Sequence, residues 1–258
     1  MPSSRELTRA ALRFETPTRL PRNLWTLPWA TMHHPEAVQR LRKRFPDDIG
    51  GVPVSVYRPP SRLRGDAFAV GVFVDEWGCC FENRQAGIIG EVRRPILPDL
   101  DEWKTVIPPY EMLPEHWDDA RDAVNRACAA SDLFLLGGCC ARPWERYQFL
   151  RGTENAMCDM MDGDERVLGL LARIHEFHLR EYAFWADTDV DALFFMDDWG
   201  SQRQLLLPPR VWRELFKPLY RDYIQIAHAA GKCAFMHSDG HLLDILPDLV
   251  ELDRKSVV

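Results

Sequence analysis

Ala192-Leu193-Phe194-Phe195-Met196 is an unbroken apolar run, followed at once by Asp197-Asp198-Trp199-Gly200-Ser201-Gln202. A strand that is apolar at every position is covered on both faces, which is the habit of parallel sheets. The chain around it alternates in the same way. Leu133 to Leu136 ends in Gly137-Gly138, and Cys233 to Met236 leads into His237-Ser238-Asp239-Gly240. Helical segments separate these runs. Pro114 to Ala130 is rich in helix formers, and Asp164 to Trp185 places Val167, Leu170, Leu171, Ile174 and His178 on one stripe. Pro208-Pro209 opens a third helix, which runs to about Ala230 and is closed by Gly231. A further helix is expected from about His241. Such alternation implies a parallel sheet, either closed into a (β/α) barrel or open and doubly wound. No G-x-G-x-x-G follows any strand, so a dinucleotide fold loses support.

The first half is less regular. Leu7, Ala10, Ala11 and Phe14 mark an N-terminal amphipathic helix, and Leu20 to Trp25 is read as a first barrel strand. Ala67 to Val74, Cys79 to Phe81 and Ile88 to Val92 read as antiparallel segments, with a turn near Asn83 to Gly87. Residues 52–98 are therefore expected to form a β-hairpin insertion within a single domain spanning 1–258, since no linker-like stretch isolates them.

Composition narrows the function classes. The net charge of −7, with no basic block to offset it, argues against a nucleic-acid partner. The short cluster Arg40, Arg42, Lys43, Arg44 reads as the solvated end of a helix. No run approaches the ~18 apolar residues of a membrane span, and the N-terminus lacks the apolar core of a secretory signal. The seven cysteines are an odd number, two pairs of them are sequence neighbours, and no C-x-x-C occurs. A reduced, cytoplasmic protein is the expectation.

Three apolar runs end in polar clusters: Asp75-Glu76-Trp77-Gly78, the Asp197 cluster and the His237 cluster. The last two fall at the C-terminal ends of parallel strands, where barrels place their chemistry. A single Asp after a strand is often a helix cap. Asp197-Asp198 is a stronger candidate, because adjacent carboxylates repel unless a cation or donor stabilises them, and the next helix begins about ten residues later. His237 reads equally as a satisfied buried polar group or as a metal ligand or acid/base group. Asp239 could share a divalent metal with it, and a third ligand would have to come from another strand.

Taken in order, these motifs resemble the uroporphyrinogen decarboxylase superfamily, which includes corrinoid-linked methyltransferases. The resemblance rests on Leu7 to Phe14 with Pro17 and Arg19-Leu20-Pro21, on Asp75 to Gly78, and on Leu150-Arg151-Gly152-Thr153-Glu154-Asn155. Asp197 to Gln202 and His237 to Gly240 complete it. It implies a (β/α)8 TIM barrel with a cleft at the strand C-termini, lined for a small-molecule substrate by Trp77, Arg151 and Gln202. About five of the eight strands are counted in this sequence, so a C-terminally truncated barrel is expected.

The departures also carry expectations. The decarboxylases hold substrate carboxylates with an early Arg-Gln-Ala-Gly-Arg; here Arg84-Gln85-Ala86-Gly87 comes later and reads as a hairpin turn. The zinc methyltransferases carry Cys two residues after the histidine, where this chain has Asp239. The leading expectation is metal-assisted methyl transfer. In it His237 and Asp239 would bind zinc, Asp197 and Asp198 would orient substrate or move protons, and Asp75 would contribute to the cleft. A corrinoid, or a protein carrying one, would be the partner. The alternatives are porphyrinogen decarboxylation, with Asp75 stabilising a protonated pyrrole, and an inactive or non-catalytic binding protein.

Overall fold

The computed structural model describes residues 2–253. Helices α1 (Ser4–Leu12), α2 (Pro28–His33) and α3 (Pro35–Arg44) precede strand β1 (Ile49–Gly51), and then come β2 (Gly71–Val74), β3 (Cys80–Asn83) and β4 (Glu91–Arg94). The second half runs α4 (Trp117–Ala129), β5 (Phe134–Leu136), α5 (Pro143–Arg151), α6 (Thr153–Asp162), α7 (Glu165–Ala186) and β6 (Ala192–Met196). It ends with α8 (Pro209–Leu215), α9 (Lys217–Ala229), β7 (Cys233–His237) and α10 (Leu246–Leu252).

The three apolar runs, joined by the unpredicted strand Ile49–Gly51, form a four-stranded parallel sheet in the order β1-β5-β6-β7. Its strand order follows the chain, without the reversal that defines a doubly wound sheet. Side chains alternate across the strands. Phe195 points outward onto Tyr220 and Tyr223 of α9, with ring centroids 5.2 and 6.1 Å away, and Tyr182 of α7 donates to the Phe194 carbonyl at 2.7 Å. Each large side chain buried in this layer contributes on the order of 2 kcal/mol. The other face carries Phe134 against Phe235 at 5.6 Å, and Phe194 and His237 against Trp25. Helices thus cover the outer face while aromatic side chains line the inner one, as in a wall of a (β/α) barrel. The sheet is open, and β7 pairs only with β6 among the described residues.

Three expectations need correction. Leu20 to Trp25 forms no strand, so four parallel strands are present among the described residues rather than about five. That segment is tied to the start of β1 mainly through carboxylates: Arg22 N–H donates to Asp48 and Leu24 N–H to Asp47, at 2.8 and 2.6 Å. Pro21 withholds a ladder donor. The helix predicted from Pro208 to Ala230 is two helices broken at Phe216, because Pro218 lacks the N–H that a continuous helix needs. The last helix begins at Leu246 rather than His241, with Pro247 in its first turn.

The insertion is a three-stranded antiparallel sheet, β2-β3-β4. Arg84 to Gly87 lies in the β3–β4 connection. Gly87 has φ +82°, and a Cβ there would lie 2.4 Å from the Trp29 backbone. Asp75 to Gly78 forms the β2–β3 turn, so it belongs to this sheet and not to the end of a parallel strand.

Candidate metal centre at the strand ends

The loops after β6 and β7 are laced together backbone to backbone. Asp197 N–H donates to the His237 carbonyl (3.2 Å), Gly200 N–H to the Asp239 carbonyl (3.1 Å) and His241 N–H to the Ser201 carbonyl (2.9 Å). Side chains add to this: Asp239 N–H donates to Asp198 Oδ1 (2.9 Å) and Trp199 N–H to Ser238 Oγ (3.1 Å). Such proximity requires glycine on both sides. A Cβ at Gly200 would sit 2.2 Å from the His241 nitrogen, and one at Gly240 would sit 2.1 Å from the Gly200 oxygen.

This lacing gathers Asp198, His237 and Asp239, whose donor atoms all lie within 4.8 Å of one another. His237 Nε2 is 3.9 Å from Asp198 Oδ1 and 3.6 Å from Asp239 Oδ1. Metal–ligand bonds to nitrogen and oxygen are about 2.0–2.2 Å, so ligand atoms around one ion stand roughly 3.5 Å apart, and the trio fits a divalent ion with small adjustment. One imidazole and two carboxylates make a harder donor set than a thiolate site. The Asp239 N–H on Asp198 is the kind of outer contact that orients a ligand. Trp25 stacks on the His237 ring, with centroids 5.0 Å apart, and so fixes its plane.

Asp197 has a different role from its neighbour. It is 0% exposed, and its carboxylate accepts from Trp144 N–H (3.0 Å), Glu145 N–H (2.9 Å) and the Tyr220 hydroxyl (2.7 Å). The first two are orphan donors of the first turn of α5, so Asp197 caps that helix across space. Trp199 Nε1–H donates to Tyr220 Oη at 2.6 Å and completes the network. Burial, reinforced by Glu145, pushes the Asp197 carboxyl well up from its ordinary range, while the three donors pull the other way.

Three of the other predicted site residues, Asp75, Trp77 and Arg151, lie in the scaffold. Asp75 accepts from Trp77 and Cys79 N–H and is ion-paired with Arg146 of α5, which also reaches Glu76 at 2.7 Å. Trp77 is 2% exposed, edge-on to Phe177 and under the Arg146 guanidinium, so it belongs to the core. Arg151 is buried, forked onto Asp159 and onto the Leu97 and Pro98 carbonyls. Gln202 is exposed in the loop after β6.

Three residues near the trio escape the sequence reading. Trp25 is hidden inside a segment read as a strand. Glu145 Oε2 is buried without a hydrogen-bond partner among the described residues. Burial pushes its carboxyl up, Arg142 pulls it down and Asp198 pushes it up again. Arg142 follows β5 and reaches Cys140 Sγ and Met196 Sδ at 3.4 and 3.2 Å. The one signal in the sequence is the clustering of Arg142, Glu145 and Arg146 shortly after the apolar run Leu133 to Leu136, in a stretch for which no helix is predicted.

No family model matches the chain, and no curated protein does. Among solved structures, the chain is similar to a methyltransferase from Methanosarcina mazei at a TM-score of 0.60 and 15% identity. The match covers 98% of this chain and 74% of that one. At this identity the likeness establishes a shared α/β fold. No helix among the described residues is long and apolar enough to cross a membrane.

Proposed function

We propose that the protein is a metal-assisted methyltransferase of the uroporphyrinogen decarboxylase superfamily, acting on a small molecule at the ends of β6 and β7. The observation that carries this reading is the convergence of Asp198, His237 and Asp239 at one point of the sheet's C-terminal edge. The shared fold with a methyltransferase supports the reaction class. Zinc held by these three residues would supply Lewis acidity to a ligating acceptor atom. The chain's own residues do the positioning. Trp25 holds the His237 ring, the Asp239 N–H holds Asp198, and Asp197 fixes the strand end from which Asp198 projects. On the inner face the half-buried Phe194 and Phe235, backed by Phe134, offer an apolar wall, suited to the methyl donor and to a corrinoid brought by a partner protein.

Decarboxylation gains no comparable support. A carboxylate that stabilises a protonated pyrrole must reach the substrate, and both oxygens of Asp75 are engaged inside the scaffold.

The test is metal uptake. Purified protein stripped by chelator and titrated with zinc should bind about one equivalent by calorimetry and elemental analysis. His237→Ala and Asp198→Asn should each weaken binding by roughly tenfold or more, while Asp75→Asn leaves the metal content unchanged. Absence of zinc binding by folded wild-type protein would overturn the assignment.

A further inference from the structure

Helix α3 is held to the scaffold by one residue. Val38 is its buried side chain, and every other position from Pro35 to Arg44 is exposed. A surface helix normally buries an apolar stripe about 100° wide. Leu41 and Phe45 follow Val38 by three and seven positions and so continue its face. They nevertheless stay 42% and 43% exposed.

Positive charge is gathered around this bare stripe. The last turn of α3 carries Arg42, Lys43 and Arg44. Arg22, from the segment before α2, lies over the Phe45 ring at 5.3 Å, and Arg44 lies over the same ring at 5.3 Å. Arg42 donates to the Thr26 hydroxyl at 3.4 Å, which ties that segment to the helix. Counter-charges are fewer. Glu36 is paired with Arg40, Asp47 accepts from the Leu24 N–H, and Asp48 is taken by Arg19. Set against Glu36 and Asp47, the five cations Arg22, Arg40, Arg42, Lys43 and Arg44 leave a surplus of three positive charges. The whole chain is divided in the same sense. Residues 1–45 hold nine basic and three acidic residues, so within a net charge of −7 the rest of the chain carries −13.

A helix C-terminus favours cations, which accounts for those on α3 itself. It does not account for Arg22, which comes from another segment, or for two large apolar side chains left in water between the cations. Aromatic and arginine side chains set together are the usual centre of a protein interface. The occupant has to bring negative charge over one short helix, ~15 Å for ten residues, and an apolar group for Leu41 and Phe45. A nucleic acid or an anionic bilayer spreads its charge well beyond that length, where the −13 of the remaining chain repels it. A short acidic element meets the patch alone.

We propose that the C-terminal half of α3, together with Arg22, is a docking surface for a partner protein that presents a short acidic helix carrying an apolar residue. The surface is independent of the metal-centre reading, and metal-free protein tests it. Its position gives docking a route to the site, since Thr26 follows Trp25, whose ring stacks on His237.

The probe is a fluorescein-labelled peptide of repeated Glu-Glu-Leu-Glu, titrated with the metal-free full chain and read by anisotropy. A second peptide has serine in place of leucine. The leucine peptide should bind the tighter of the two, and its binding should weaken as salt brings the screening length below ~10 Å. Reversing Arg42, Lys43 and Arg44 to Glu should weaken it by about tenfold or more, while Arg180→Glu with Arg210→Glu, cations on other helices, changes it little. Phe45→Ala should cost the leucine peptide about fivefold and leave the serine peptide unchanged. If the reversed variant fails to fold, glutamine at the same three positions decides. No binding by wild type, or binding that survives the loss of these charges, would overturn the proposal. Tighter binding of oligo-dT or of phosphatidylserine vesicles through the same residues would overturn it in favour of a polyanion or a membrane. Salt-sensitive dimerisation abolished by the same variant, seen in sedimentation velocity, would replace the partner by a second copy of the chain.

Discussion

Asp48 accepts from Arg19, from the Ser4 hydroxyl and from Arg22 N–H, and these contacts, the Arg19 hydrogen bonds first, lower its pKa to about 2. An unfolded Asp titrates near 3.9. Its contribution is therefore fully present above about pH 4 and is lost as the pH falls towards 2. Thermal unfolding of wild type and Asp48→Asn should show a gap in favour of wild type at pH 6 that closes by pH 2. Asp197 and Asp198 show how far single residues could be read. Their adjacency marked the position as unusual, and it is, but for two separate reasons. Asp197 turns towards α5 and Asp198 towards β7. Nothing in the order of residues reveals that an aspartate can cap a helix more than 50 positions earlier in the chain, so the distance to the following helix was the wrong measure.

At the scale of elements, α5 does the most to bind the site to the scaffold. Its first turn is capped by Asp197, and Arg146 in its second turn clamps the Asp75–Glu76 turn of the antiparallel sheet. Asp197→Ala would strand two backbone N–H groups and the Tyr220 hydroxyl, at about 1–3 kcal/mol for each group left unpaired. Urea unfolding should show a loss on the order of 3 kcal/mol, and Asp197→Asn, which keeps one acceptor, should lose less. Three of the four parallel strands were legible because a short apolar run bounded by glycine and polar residues, repeated between amphipathic helices, fits a strand covered on both faces; β1, with only Ile49 beside two glycines, offers no such run. The pairing of Trp25 with His237 was not, since a stacking contact between residues over 200 positions apart leaves no periodicity. The break at Phe216 was legible in principle from Pro218, but the amphipathic stripe on either side outweighed it.

For the molecule as a whole, the parallel sheet is protected unequally. β6 lies between β5 and β7, whereas β7 has one neighbour among the described residues and is partly exposed along its whole length. Beside it Ala234, Met236, Leu242, Leu246, Leu249 and Val250 line an apolar groove. Opening free energy follows local burial. Hydrogen exchange read by mass spectrometry should find the amides of residues 192–196 the slowest in the sheet and those of residues 233–237 markedly faster. Slower exchange in β7 than in β6 would contradict the open edge.

The contact between Gly200 and Gly240 makes two distant codons answer to each other. Gly200 is required because the Gly240 backbone is there; Gly240 also has φ +83°, but a side chain introduced at either position presses on the same gap. Once one substitution has parted the loops, a second has less left to disrupt, and the two penalties will not add. Since the same gap sets the spacing of Asp198 from His237 and Asp239, drift at either glycine would reach the metal ligands without altering any of them.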